Sequence, residues 1–156
     1  MIVTLIILAV LLLLVLLGNK SVHSEITIKA SPEKVWEVLT QTDQYASWNP
    51  VMKLIEGEIK EGNKVTYQFT QSEDNSYNIG TTVKKIIPLK LLNQGGGLPL
   101  ILSFNHRYML EASGEGTTLT IHEDYKGIGV NFWNAEPVQA AYEKLNAAIK
   151  QEAESR

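Results

Sequence analysis

The sequence predicts an α+β domain in which one long C-terminal helix packs on a bent antiparallel sheet, preceded by a separate apolar helix. Three observations lead to this prediction. Residues 1–17 are apolar except for Thr4, residues 52–126 contain successive strand-like segments such as the alternating Lys64–Thr70, and residues 136–154 repeat apolar positions every three or four residues. With 156 residues, the chain can form one domain with a substantial core but hardly two.

The apolar N-terminus, residues 1–18, is expected to be a single transmembrane anchor. As a helix, the seventeen residues Met1–Leu17 would reach about 25 Å, close to the roughly 30 Å hydrocarbon core of a bilayer. A cleaved signal peptide is the alternative, but the segment has neither a basic n-region nor a small-residue cleavage site after it. We therefore expect a single-pass membrane protein with a juxtamembrane linker at 19–24 and a globular domain at 25–156. Lys20 competes with the α-amino group, so the side of the membrane stays open.

Charge and cysteine content exclude several classes of function. The net charge of −3 lies entirely beyond Asn19 and is mixed in sign, whereas a nucleic-acid-binding domain usually carries a basic excess or stripe. The absence of cysteine excludes disulfides, thiolate nucleophiles and cysteine metal sites. The three histidines lack metal-ligand spacing, and Gly95–Gly97 lacks the lysine and following helix of a phosphate loop. We therefore expect no nucleic acid, metal or cofactor to bind.

The globular part is predicted to begin with a strand, Glu25–Lys29, and a helix. Ser31-Pro32-Glu33 provides a serine N-cap, a proline at the first helical position and a carboxylate near the positive end of the helix dipole. The apolar face then continues to about Thr40. A second short helical segment, Asp43–Trp48, should end at Asn49-Pro50, because proline disfavours helical geometry in the residue before it.

The middle of the chain is predicted to form successive antiparallel strands, and the end a helix. The clearest strand is Lys64–Thr70, in which Val65, Tyr67 and Phe69 share one face. Further strands are predicted at Ile79–Ile87, Lys90–Asn93, Leu102–Ala112 and Thr117–Lys126, with a flexible break at Gly95–Gly97. The amphipathic C-terminal helix should run from Glu136 to about Glu154.

The last two strands should form a hairpin whose register decides which side chains face the helix. If Ser113–Gly116 is the four-residue loop, Ala112 pairs with Thr117 and His106 lies opposite Glu123. The Cβ atoms of His106 and Glu123 would then be about 5 Å apart. The shared inward face comprises Phe104, His106, Tyr108, Leu110, Leu119, Ile121, Glu123 and Tyr125.

Four sequence blocks in this order resemble the SRPBCC superfamily of START-like, helix-grip proteins, especially its polyketide cyclase/dehydrase-like branch. The blocks are Ile28–Trp36, Tyr45–Pro50, His106–Leu110 and Thr117–Gly127, and the likeness covers about residues 24 to 152. The resemblance implies a curved seven-stranded sheet gripping the C-terminal helix around an internal apolar cavity. It does not imply one reaction, because members bind lipids, sterols, quinones and polyketides, or act on them.

His106 and Glu123 are the candidate catalytic residues. A carboxylate-oriented imidazole could act as general acid or base on a bound ligand. The alternative is a structural pair, because a buried polar group without a partner costs about 1–3 kcal/mol. The candidate ligand-binding residues are inward-facing aromatic and aliphatic side chains, with the tyrosines serving either as polar handles or as core: Tyr67, Phe69, Phe104, Tyr108, Leu110, Ile121, Tyr125 and Tyr142.

Two apolar loops, Leu98–Leu102 and Gly127–Trp133, allow two interpretations. They could form a portal through which a lipid enters the cavity from a membrane, or they could plug the core and the cavity mouth. The preferred function is binding or carrying a hydrophobic small molecule or lipid at a membrane surface. The alternatives are a cyclase-, dehydratase- or isomerase-type enzyme using His106 and Glu123, and an interaction module resembling activators of the Hsp90 ATPase, for which no particular protein partner is predicted.

Overall fold

The computed structural model describes residues 2–72 and 74–156. Within them, four α-helices, α1 to α4, span Ile2–Leu17, Pro32–Thr40, Tyr45–Trp48 and Glu136–Ser155. Seven strands, β1 to β7, span Asn19–Ile28, Met52–Glu56, Lys64–Ser72, Asn75–Ile87, Leu91–Leu98, Leu102–Ser113 and Gly116–Lys126. Two short 3₁₀ turns cover Thr42–Gln44 and Ile128–Phe132.

The strands form one antiparallel sheet with the order β1-β7-β6-β5-β4-β3-β2. Helix α4 packs across the sheet and contacts β1, β3 and β7. Because apolar residues recur every three or four positions, they all lie on the helix face that meets the sheet. The buried members of this stripe are Val138, Ala141, Tyr142, Leu145, Ile149 and Ala153. The predicted α+β helix-grip architecture, a curved seven-stranded sheet around a long C-terminal helix, is confirmed.

Helix α2 fills the space beside α4. It begins with Pro32 in its first turn and ends at Thr40, as the sequence predicts. Its spacing places Val35, Val38 and Leu39 on one face, and all three are fully buried. Since α2 contacts α4, β6 and β7, these side chains join the helix layer to the sheet in a solid core.

The β6–β7 hairpin has the predicted register. Ala112 pairs with Thr117, and His106 pairs with Glu123. Burial alternates along β7, so every second side chain points toward α4. His106 and Glu123 are only 5% and 3% exposed, which places both on the inner face of the sheet.

Strand β5 is longer than predicted and runs through Gly95–Gly97. The prediction of a flexible break at these glycines is wrong. All three pair with β6, and Gly95 and Gly96 also pair with β4. A Cβ on Gly96 would lie 2.5 Å from the carbonyl oxygen of Gly80, so this close approach of the strands requires glycine. Strand β5 therefore contributes no side chain to the inner face at Gly96, where it lies beside the ring of Phe104.

The N-terminal helix does not meet the requirements of a membrane span. Helix α1 has 16 residues, about 24 Å, which is shorter than the roughly 30 Å hydrocarbon core. In the part of the chain that the structure describes, no helix is both long enough and apolar enough to cross a bilayer. The prediction of a transmembrane anchor at 1–18, and of a single-pass membrane protein inserted through Met1–Leu17, is therefore wrong. Met1 itself lies outside the described residues.

The chain passes from this helix almost directly into the sheet. Residues 19–24, expected to be a linker, are the first half of β1 and pair with β7 from Asn19 opposite Lys126 onward. The backbone N–H of Gly127 donates to the carbonyl oxygen of Gly18, with the nitrogen and oxygen 2.9 Å apart. The globular domain thus includes the segment that the sequence assigned to the linker.

Candidate functional site

A partly enclosed cavity of about 410 Å³ lies between the first half of α4 and the inner face of the sheet. Most of its wall is apolar, because it comes from aromatic rings and aliphatic side chains. The aromatic residues are Phe69, Tyr77, Phe104, Tyr125, Trp133 and Tyr142, and the aliphatic residues are Ile79, Leu102 and Val138. Asn78, Glu123 and the backbone at Gly80 and Gly97 complete the wall.

The alternation of the strands explains why these side chains converge. Phe69 on β3, Phe104 on β6 and Tyr125 on β7 all occupy inward positions of the sheet. Tyr142 on α4 lies over them, with its ring centroid 6.1 Å from that of Phe69. Trp133, just before α4, packs against Tyr125 at a centroid distance of 4.4 Å and closes one side.

Glu123 is the charged group in the cavity wall. Its Oε2 atom accepts a hydrogen bond from the hydroxyl of Tyr125, with the oxygens 2.6 Å apart, and another from the hydroxyl of Tyr142. The Nδ1 atom of His106 lies 3.8 Å from the same oxygen, which is an electrostatic contact too long for a hydrogen bond. The cavity therefore has a charged anchor, a carboxylate that three neighbouring side chains approach.

These contacts favour the ionised form of the carboxylate. Burial alone would raise the pKa of Glu123, but the interaction with His106 and the hydroxyl groups of Tyr125 and Tyr142 hold it below its ordinary value. Burial and the neighbouring carboxylate raise the pKa of Tyr125 and Tyr142. Both phenols consequently remain donors at neutral pH, and Glu123 remains an acceptor.

His106 lies behind the cavity wall. Its ring packs edge-on against Tyr108 and Tyr142, at centroid distances of 4.5 and 5.2 Å. It is not among the residues that line the cavity, and its buried Nε2 atom has no hydrogen-bond partner in the described residues. The structure thus brings His106 and Glu123 together, but only Glu123 borders the space where a ligand would lie.

The predicted ligand-binding residues divide into two groups. Phe69, Phe104, Tyr125 and Tyr142 line the cavity, whereas the others are packed in the core around it: Tyr67, Tyr108, Leu110 and Ile121. The hydroxyl of Tyr67 accepts a hydrogen bond from Gln94 at 3.0 Å, and burial raises the pKa of Tyr67 to about 12.

The sequence did not identify Tyr77, Asn78 and Ile79 as site residues. They lie in the first half of β4, upstream of or at the predicted start of that strand. Tyr77 pairs with Phe69, and Ile79 pairs with Tyr67. Extending the β3–β4 pairing toward its turn would have placed both side chains on the inward face.

Each apolar loop contributes to the cavity wall and also presents apolar side chains to solvent. Leu102 and Trp133 line the cavity. By contrast, Leu100 is 69% exposed and Phe132 is 79% exposed. Each loop therefore has one side chain in the cavity wall and another that is exposed to solvent and does not close the cavity.

A helix-grip fold around an aromatic cavity defines a START-like ligand-binding domain. The chain belongs to the family described as polyketide cyclase / dehydrase and lipid transport, whose model matches residues 20–154. The SRPBCC resemblance seen in the sequence is thereby confirmed. No curated protein matches the sequence significantly.

Solved structures with this fold come from several kinds of protein. Protein CV1439 from Chromobacterium violaceum superposes with a TM-score of 0.71 at 14% identity, over 86% of this chain and 97% of that one. The ginseng major latex-like protein 151 from Panax ginseng gives the same four values. The di-domain ARO/CYC StfQ from the steffimycin biosynthetic pathway gives a TM-score of 0.71 at 10% identity, over 88% of this chain and 51% of that one. At these identities the likeness shows the fold.

Proposed function

We propose that this domain binds a hydrophobic small molecule in the cavity between α4 and the sheet, with Glu123 fixing the orientation of the ligand. The observation that carries the proposal is the partly enclosed volume of about 410 Å³. Small-molecule pockets usually measure about 300–1,000 Å³ and combine apolar walls with few polar groups. Nine aromatic and aliphatic side chains around one buried carboxylate match that description. A cavity of this kind supports ligand binding over a purely surface-mediated role.

A neutral fluorescent probe tests the proposal. N-phenylnaphthylamine, which brightens in apolar surroundings, should bind the purified protein saturably. The Ile79→Trp variant should bind it at least about tenfold more weakly, because the larger ring occupies the cavity. Ile87→Trp, on the same strand but 41% exposed and outside the cavity, is the matched control and should bind like the wild type. Saturable binding that Ile79→Trp leaves unchanged would place the probe elsewhere and contradict the proposal.

A second candidate function is acid–base catalysis, which the position of Glu123 in the wall favours. An ionised carboxylate in an apolar cavity can remove a proton from a carbon next to a carbonyl group. His106, which lies behind the wall, would then act by stabilising the charge and position of Glu123. This candidate differs from simple carriage in that the ligand must be chemically changed.

Hydrogen–deuterium exchange can separate carriage from catalysis. In D₂O, NMR would follow the exchange of the acidic α-protons of the bicyclic ketone tetralone, since a base that removes such a proton must return a deuteron from solvent. If the protein is an enzyme of this kind, the α-protons should exchange faster in its presence than in buffer alone. The Glu123→Gln variant should not accelerate the exchange. Exchange no faster than in buffer would reject the catalytic candidate and leave carriage.

A further inference from the structure

The two oxygens of the Glu123 carboxylate have different surroundings. Tyr125, Tyr142 and His106 all approach Oε2. The other oxygen, Oε1, accepts no hydrogen bond from the residues that the structure describes, although Glu123 lines the cavity. The protein thus saturates one oxygen of the buried carboxylate and leaves the other for whatever occupies the cavity.

An ionised carboxylate oxygen accepts hydrogen bonds and cannot donate them. Such an acceptor in the wall of an apolar cavity favours a ligand that donates to it, because a hydrogen bond to a charged group is among the stronger ones in proteins. A ligand that carries a hydroxyl group can supply this bond. A ligand that carries a carboxylate would instead place a second negative charge beside Glu123, which is strongly unfavourable in a low dielectric.

The remainder of the wall indicates the shape of the ligand. Phe69, Tyr77, Phe104 and Trp133 all carry aromatic rings and line the same cavity as Glu123. Aromatic rings pack favourably with other rings in offset or edge-to-face geometry. Flat ring systems therefore fit this wall, and the carboxylate of Glu123 favours a hydrogen-bond donor at one end of the ligand.

We propose that the cavity selects ring compounds bearing a hydroxyl group, which donates to Oε1 of Glu123, and that it discriminates against ring compounds bearing a carboxylate. This inference rests on the proposed function, because it names the chemistry of the ligand bound in the same cavity. It adds a selectivity that an apolar cavity alone would not have. Glu123 acts as the residue that determines specificity, and Tyr125 and Tyr142 position it.

Three probes with the same ring system test the selectivity: naphthalene, naphthol and naphthoate. At neutral pH, calorimetry or fluorescence titration of the wild-type protein should show naphthol binding about tenfold more tightly than naphthalene, equivalent to about 1.4 kcal/mol. Naphthoate should bind more weakly than either. This comparison needs no substitution, so it stands even if a variant fails to fold.

The Glu123→Gln variant tests the assignment to that carboxylate. Removal of the negative charge should weaken naphthol binding and strengthen naphthoate binding, which reverses the order of preference. Glu111→Gln removes a carboxylate at an exposed position outside this cavity and should leave the order unchanged. Circular dichroism and thermal melting would confirm that both variants are folded.

The possible outcomes are distinguishable. Equal binding of all three probes, or tightest binding of naphthoate by the wild type, would overturn the selectivity and leave the proposed function intact. Failure of all three probes, and of N-phenylnaphthylamine, to bind would overturn both. An unchanged preference in folded Glu123→Gln would overturn the role of Glu123.

Discussion

The two halves of α4 face the same sheet, but one half borders a cavity and the other is packed solid. Val138 and Tyr142, in the first half, line the cavity. Leu145, at the midpoint of the helix, and Ile149 and Ala153, in the second half, have exposures of 0%, 1% and 0% and belong to the continuous core. The same amphipathic pattern therefore lies over a cavity at one end of the helix and over a packed core at the other.

The difference arises from α2. The side chain of Arg156 at the end of α4 donates a hydrogen bond to Gln41, just beyond α2, at 2.8 Å, so α2 lies against the second half of α4. There, Val35, Val38 and Leu39 fill the space between helix and sheet. No comparable apolar helix among the described elements fills the space under the first half. A hollow results where one helix spans a curved sheet by itself, and a dense core results where two helices share that span.

The largest expected effect compares leucines at the two ends. Leu145→Ala should lower the free energy of unfolding by about 2–5 kcal/mol, because it leaves a void in a fully packed region. Leu102→Ala deletes the same atoms at the cavity wall, where the side chain is partly exposed and already faces open space. Leu102→Ala should therefore lower the free energy of unfolding by clearly less than Leu145→Ala. Urea denaturation at fixed pH measures both, and equal losses would show that the two ends are packed alike.

The next effect concerns pH and should be confined to the cavity end. The folded protein holds the pKa of Glu123 below its ordinary value, whereas the unfolded chain should have a value of about 4.3. The stabilisation from the ionised form is therefore complete above about pH 4.3 and is lost as the pH falls through the folded-state pKa. At neutral pH, Glu123→Gln should lose about 1–3 kcal/mol of unfolding free energy, because hydrogen bonds to a charged group become ordinary ones.

Denaturation curves at several pH values would measure this dependence. The difference between wild type and Glu123→Gln should shrink on acidification below about pH 4.3. Glu111→Gln, at an exposed site, shows how much one surface carboxylate contributes to the same profile. A difference that stays constant into acid would mean that ionised Glu123 does not stabilise the fold. The packed end of α4 should show no comparable pH effect when Leu145 is substituted.

Local patterns in the sequence predicted most of the fold. The start and end of α2 follow from Pro32 and the apolar spacing after it, and the β6–β7 register follows from the length of one loop. That register brought His106 opposite Glu123, which the structure confirms. Such features depend on neighbours in the chain or on one hairpin, so residue periodicity is enough to find them.

The errors occur where distant segments interact. Residues 19–24 were predicted to be a linker, but they pair with β7 from Asn19 opposite Lys126 onward and form the first half of β1. Gly95–Gly97 resembles a loop until the strands on either side are known. Neither outcome can be read from the segment alone, because the partners lie far away in the sequence.

The sequence by itself determined which side chains face inward, since alternation along strands and the helical repeat fix the side of the sheet or helix on which each residue lies. It could not determine which inward side chains border a hollow and which are packed against each other. Phe104 and Tyr108 occupy equivalent inward positions on β6, but only Phe104 lines the cavity. That distinction depends on where α2 and α4 cover the curved sheet, and the packing of whole elements is decided only when the chain has folded.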